Sequence, residues 1–216
     1  GLGHAVPFIA DATSYLISFV TLGFIRVPFN DERVASGQHI LAEIREGLVW
    51  LWRQSFLRAC TLLVAGSNFA FQALVLTVIV YAKEEGASPG QIGIMLGGFG
   101  AGGLLGAFVA PWLQPRISPR LIIVGANWVW AVFVLPLALL THPYAIGLLL
   151  GCCAFVGPIW NVVIGAYEIR LTPDAMLGRV ISVIGLISWG VIPFGSLIGG
   201  VSLESIGSTW TLLAIA

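Results

Sequence analysis

Two side-chain amides, Asn68 and Gln72, stand near the middle of an apolar run over 59–81, at a four-residue spacing that puts both on one face of a helix. A polar group at such depth is costly unless it meets a solute, a proton or a partner helix. The pair are therefore candidates for a solute-facing surface, with Phe69 and Phe71 offering aromatic surface beside them or simply packing between helices. A second set lies in 144–168, where Asn161 and Glu168 are roughly aligned on a helix and Trp160 and Tyr167 adjoin them. Asp11 is the only acidic residue well inside an apolar run, which makes it a candidate proton carrier. The other reading is a carboxylate hydrogen-bonded to Ser14, Tyr15 or a neighbouring helix. Glu168 offers the same coupling chemistry, or serves as an interfacial charge with Arg170 nearby. These groups suit binding and proton carriage rather than bond making. His4, His39 and His142 are scattered over loops and termini, and no nucleophile–base–acid set or Gly-rich phosphate loop can be assembled, so the chain has no enzyme signature.

The elements that must carry these residues are long apolar helices. Of 216 residues, 58% are hydrophobic and 9% charged, far from the quarter of charged residues usual in soluble domains. Apolar stretches cover 4–25, 59–81, 92–113, 121–140, 144–168 and 180–203, and another begins near Thr209. Each complete one has about the 20 residues needed to cross hydrocarbon as a helix. The expected fold is all-α, a polytopic bundle of six complete spans plus the start of a seventh, with the lipid bilayer as its surroundings. Arg26, Arg33, Arg45, Arg53, Arg58, Arg116, Arg120, Arg170 and Arg179 fall in the first, third and fifth connections, whereas Lys83 stands alone in the second. The positive-inside bias makes the arginine side cytoplasmic and puts residue 1 on the outer face. With five of these arginines in the long 26–58 connection, the short loops still favour the same orientation.

That long connection is expected to hold an amphipathic helix. Ile40, Leu41, Ile44, Leu48, Leu51, Trp52 and Phe56 recur at three- and four-residue steps between Gln38 and Phe56, after the helix breakers Pro28, Asn30 and Asp31 and a start signal at Ser36 or Gly37. It either lies in the membrane interface with Trp50 and Trp52 at headgroup depth, or packs on the cytoplasmic ends of the bundle. Two segments are rich in small residues, GIMLGGFGAGGLLG at 93–106 and GVIPFGSLIGG at 190–200. Such spacing lets helix backbones approach closely in lipid, and Pro193 adds a kink. Cys60, Cys152 and Cys153 lack metal or disulfide spacing and read as packing residues. Net charge is zero, which gives no sign of nucleic-acid binding.

DATSYLISF at 11–19, the basic connection with its amphipathic helix, the glycine-rich 93–106 span and PDAMLGRVIS at 173–182 together resemble the major facilitator superfamily. The likeness is narrower to the branch with enterobactin exporters and macrolide efflux proteins. It implies that 1–26 is the last helix of an N-terminal bundle, 27–58 the cytoplasmic linker and 59–216 a truncated C-terminal bundle, with the missing N-terminal half of the same chain as a partner. It further implies secondary active export of a drug, macrolide or siderophore across a bacterial inner membrane by alternating access and proton antiport, without a cofactor. The family's central cavity would then be bordered by 59–81 and 144–168, making Asn68, Gln72, Phe69, Trp160 and Asn161 the substrate-binding candidates and Asp11 and Glu168 the coupling candidates. RISPR at 116–120 occupies the place of the family's basic loop motif, though without its Gly and Asp. On this resemblance Arg116, Arg120, Arg179 and Pro193 are the gating candidates. The rival class is a structural or assembly membrane subunit, or an inactive half-transporter fragment.

Overall fold

In the computed structural model, residues 6–24 and 40–215 are described, and every regular element among them is helical. The stretch with Arg26, Pro28, Asn30, Asp31, Arg33, Ser36 and Gly37, and the histidines His4 and His39, lie outside the described residues. The chain divides into two units, 1–39 and 40–216. The first contains helix α1 (Val6–Gly23), whose Thr13 and Thr21 hydroxyls donate to the carbonyls of Ile9 and Ile17 four residues back, as hydroxyls do where water is scarce.

The second unit starts with α2 (Ile40–Arg53) and α3 (Ser55–Glu84), separated by Gln54 alone. It continues through α4 (Pro89–Leu113), α5 (Pro119–Val134) with a 3-10 turn at Leu135–Leu139, α6 (Pro143–Leu171), α7 (Leu177–Gly190), α8 (Ile192–Ile206) and α9 (Ser208–Ile215). Local sequence accounts for these ends. Ser88 caps α4 reciprocally, accepting from the Gln91 amide at 3.3 Å while Gln91 Oε1 accepts from the Ser88 amide at 2.8 Å, a capping box followed by Pro89 in the first turn. Pro119 and Pro143 open α5 and α6 in the same way. Gly86 and Gly207, at φ +83° and +81°, turn the chain after α3 and α8 in a region that only glycine enters freely.

Among the described residues five helical stretches are long and apolar enough to cross a membrane: α3, α4, α5 with its 3-10 turn, α6, and α7 with α8. Hydropathy along the sequence predicts six and the start of a seventh; here α1 is not among the five, and α9 has eight residues. Two expected continuous spans are also interrupted. Pro136 tightens the end of α5 into the 3-10 turn, and the 180–203 stretch breaks at Val191, two residues before Pro193, because proline cannot donate to the carbonyl four residues back and its ring clashes with it. Conversely α3 takes in Ser55–Arg58, too polar to be counted as apolar span but helical. Large apolar side chains face outward, among them Phe108 at 75% exposure and Leu148 at 69%, as lipid-facing positions require.

What brings the helices together is backbone proximity. A Cβ at Gly98 would lie 2.7 Å from the Gly147 carbonyl oxygen, and one at Gly102 or Gly106 would overlap the carbonyls of Gly151 and Phe155. Three turns of α4 therefore lie directly on α6. α8 approaches α3 the same way: Gly195 lies against the Phe69 backbone, and a Cβ at Gly199 would be 3.0 Å from Ala73 Cα. Side chains then close the ends unequally. At the Lys83 end one cluster joins α3, α4, α5, α6 and α9 through Leu74, Val78, Met95, Leu137, Ile146 and Leu212. At the arginine-bearing end there are two: Leu51, Leu57, Val180 and Val183 between α2, α3 and α7, and Ala110, Ile122, Ile159 and Val163 between α4, α5 and α6.

Gly102→Ala should lower stability by about 1 to 3 kcal/mol through overpacking against Gly151. Gly103→Ala, one residue away with nothing within 4 Å, should be neutral. Thermal unfolding of the two variants in detergent checks the contrast.

Candidate functional site

Between the single cluster and the two lies a cavity of about 740 Å³. Its walls follow helical spacing: Leu63, Ser67, Phe71 and Leu74 from α3; Asn127, Trp130 and Val134 from α5; Gly157, Trp160, Asn161, Ile164, Gly165 and Glu168 from α6; Ile181, Ile184, Gly185, Ser188 and Trp189 from α7. Phe99 of α4 completes an aromatic corner, stacking on Phe71 at 5.0 Å between centroids, while Trp130 meets Phe71 edge-on at 5.7 Å. Glu168 is the one charged residue of the lining, and no Lys, Arg or His is among the lining residues. Such a space combines apolar and aromatic walls with a few amides and one acid, the usual make-up of a small-molecule pocket.

Of the substrate-binding candidates, Asn68, Trp160 and Asn161 line this cavity; Phe69 and Gln72 are not among the lining residues. Helix geometry explains the division. Each four-residue step rotates the chain by roughly 40°, so Gln72 is turned from Asn68 toward the side of α3 that meets α8, where Phe69 and Ala73 lie against Gly195 and Gly199. Asn68 sits at the edge of the two faces, and its Nδ2 donates to the Ser188 carbonyl of α7 at 2.7 Å. Trp160 Nε1 and Ser188 Oγ are buried without a hydrogen-bond partner.

Of the coupling candidates, Glu168 lines the cavity. Asp11 belongs to the other unit; Ser14 Oγ donates to its backbone carbonyl at 2.7 Å, not to its carboxylate, and its side chain is exposed. The gating candidates are spread out. Arg116 is exposed and places its guanidinium 4.4 Å from the ring centre of Trp112 on the preceding turn, and Arg120 is exposed at the start of α5. Arg179 donates to Glu46 at 2.8 Å and Glu43 at 3.2 Å, pinning α2 onto α7. The helices touch there: a Cβ on Gly47 would lie 2.9 Å from the Arg179 carbonyl oxygen. Pro193 stands in the first turn of α8, just past the break.

Sequence reasoning did not single out Asn127, Trp130, Phe99 or Ser188 as site residues. Asn127 and Ser188 carried the same signal as Asn68, a polar side chain deep in an apolar run. Trp130 and Phe99 carried none, since aromatic residues abound along the spans. Nor was the contact of Phe56 with Tyr167 expected, an edge-on pair at 5.2 Å that links the start of α3 to the end of α6 beside Glu168.

The whole chain, residues 1–216, matches the sequence profile of a family described as transmembrane secretion effector. Among curated proteins it is similar to the multidrug efflux pump Tap of Mycolicibacterium fortuitum, 25% identical over 193 residues, a match covering 86% of this chain and 45% of the pump. The chain thus spans about half the length of the curated relative it matches. No solved structure matches it.

The Arg179 pairs are partly exposed, so each contributes at most about 1 kcal/mol. Arg179→Ala removes both and should accordingly raise amide exchange across Ile40–Arg53 by up to about thirty-fold and leave the α4–α6 pair as protected as before, as hydrogen-exchange mass spectrometry can read.

Proposed function

Because the chain belongs to the transmembrane secretion effector family of the major facilitator superfamily, we propose that it forms part of the solute pathway of a small-molecule exporter. The observation that carries this reading is the 740 Å³ cavity among membrane-spanning helices. A purely structural subunit has no use for a space lined by Asn68, Asn127, Asn161 and Glu168 between apolar walls; a bundle packed shut around Asn68 and Gln72 would favour that rival, and of the two Asn68 borders the space while Gln72 does not. The relative's name, a multidrug efflux pump, supports efflux as the direction.

On this reading the protein works by alternating access. The cluster built on Leu74, Met95, Leu137 and Ile146 closes the outer end, and the gap between the two clusters at the arginine-bearing end is the cytoplasmic way in. The molecule sits in a bacterial inner membrane with the arginine-bearing loops and α2 in the cytoplasm, and six spans with a seventh beginning cross it. Glu168 is the coupling group: a carboxylate in the pathway can exchange a proton for a solute, which is what antiport needs. Asp11 would serve that role only through a solute path along α1. Arg179 holds the linker helix against α7, so any movement of α7 carries the linker with it.

The charge of the lining also sorts the solute classes. One carboxylate facing aromatic rings, with no basic partner, attracts an amphipathic cation and repels a multiply anionic siderophore. In energised inverted vesicles carrying the full-length protein, uptake of the cationic dye ethidium should stop when the pH gradient is collapsed. Glu168→Gln, which cannot carry a proton, should reduce that uptake to the level left when the pH gradient is collapsed. Full activity of Glu168→Gln would remove Glu168 from the mechanism, and uptake insensitive to the pH gradient would rule out proton antiport.

A further inference from the structure

The α7–α8 span is broken where it passes the cavity. α7 ends at Gly190 and α8 starts at Ile192 with Pro193 in its first turn; the capping Val191 amide donates to the Trp189 carbonyl, and the Ser188 carbonyl is left without the donor four residues on that a continuous helix would supply. In hydrocarbon an unsatisfied carbonyl is costly, with no water to bond it. One donor reaches this one: the Asn68 side-chain amide, from another helix, at 2.7 Å. Ser188 is 2% exposed, and its own hydroxyl finds no partner, so the bond is shut away from solvent on the Ser188 side. Asn68 meanwhile borders the cavity. Below and above this point the span is fixed by other means, Val180 and Val183 packing on α2 and α3 and Gly195 and Gly199 lying against α3. The segment between them has Asn68 as its cross-helix hydrogen bond.

We propose that Asn68 is a positioning residue that holds the break open, and that a solute accepting a hydrogen bond from its amide in the cavity releases the break. The second clause rests on the cavity being the solute site; the first does not. Once the amide is withdrawn, the donor left within the span for the Ser188 carbonyl is the Ile192 amide, four residues on and just ahead of Pro193, and reaching it requires the break to straighten as far as the proline ring allows. Solute entry is thereby converted into a change of angle between α7, which carries the linker contact at Arg179, and α8, which lies on α3. The occupant must present an acceptor such as a carbonyl, ether or hydroxyl oxygen.

The test uses full-length protein with Cys60, Cys152 and Cys153 replaced by alanine and spin labels at Ser182→Cys and Ser205→Cys, two exposed positions on either side of the break. Without solute, Asn68→Leu, nearly isosteric but unable to donate, should lengthen the interlabel distance by several ångströms, as should Asn68→Ala, which guards against a packing defect in the first. Pro193→Ala should lengthen it too, by restoring a backbone donor, and Asn68→Leu added to Pro193→Ala should then have no further effect. Wild-type distances in both Asn68 variants, or additive effects in the double variant, would overturn the clamp. Doxycycline, rich in carbonyl and hydroxyl oxygens and followed by its own fluorescence, is the solute probe. It should lengthen the wild-type distance and leave that of Asn68→Leu unchanged. If doxycycline binds and the wild-type distance stays fixed, the release step is wrong. Failure of doxycycline and ethidium to bind at all would instead count against the exporter reading, with the clamp judged on the solute-free distances.

Discussion

Helices in hydrocarbon gain nothing from hiding apolar side chains, since the lipid is as apolar as they are; they associate through contacts between atoms packed close. In this chain that constraint is met by removing side chains altogether. Gly98, Gly102 and Gly106 on one helix and Gly147 and Gly151 on another let two backbones touch over three turns. Everything else hangs on the resulting α4–α6 pair. It brings Phe99 to the aromatic corner and fixes the rotation of α6, which determines that Trp160, Asn161 and Glu168, and not Val162 or Ile169, turn to the cavity. The glycines with open space around them, such as Gly97, Gly100 and Gly103, share the same run but face elsewhere, so glycine content alone does not define the contact.

The second pair, α3 with α8, uses the same device under a different demand. Gly195 and Gly199 seat α8 firmly on α3, yet Pro193 denies the span continuity only a few residues earlier. A membrane helix can be interrupted only where something else supplies the missing bond. Asn68, on the helix that the glycines bring near, is placed to do so. Close approach and interruption are therefore one arrangement: without the glycine contact, α3 would stand too far off for a short amide side chain to reach the Ser188 carbonyl.

Much of the fold could be read from periodicity and charge. The apolar runs at 59–81, 92–113 and 144–168 correspond to α3, α4 and α6, because each of those signals is local; the three- and four-residue steps from Ile40 to Phe56 correspond to α2 only as far as Arg53, and Phe56 belongs to α3 beyond the interruption at Gln54. Boundaries were less legible. Ser55–Arg58 is helical since it joins two helices across Gln54, which hydropathy does not register, and the 180–203 run hid its break because Val191 and Ile192 are as apolar as their neighbours. For the site, a midplane amide announced Asn68 but could not distinguish it from Gln72. That distinction depends on which helix lies on each side of α3, a fact of packing between residues more than a hundred positions apart in the chain. Ser188 carried a polar signal too, but serine in a span most often bonds back to its own helix, as the hydroxyls of Thr61 and Thr77 do here.

The arginines illustrate how one sequence signal can hold several physical roles. Their crowding into alternate connections is the pattern that a positive-inside bias produces, and Arg120 is exposed at the start of α5. Arg116 folds back onto Trp112, anchoring a loop end. Arg179 differs because its helix passes from the contact with α2 at Glu43 and Glu46, along the cavity wall at Ile184 and Ser188, to the break before Pro193. α7 thus touches α2, lines the cavity and ends at the break, and α3 meets the same three places through Leu57, Phe71 and Asn68. A force applied at any of these three places is felt at the other two through a helix of fourteen residues, short and regular enough to move as a rigid rod. That mechanical continuity, and not any property of a single charge, is what makes the α2–α7 ion pairs relevant to the cavity.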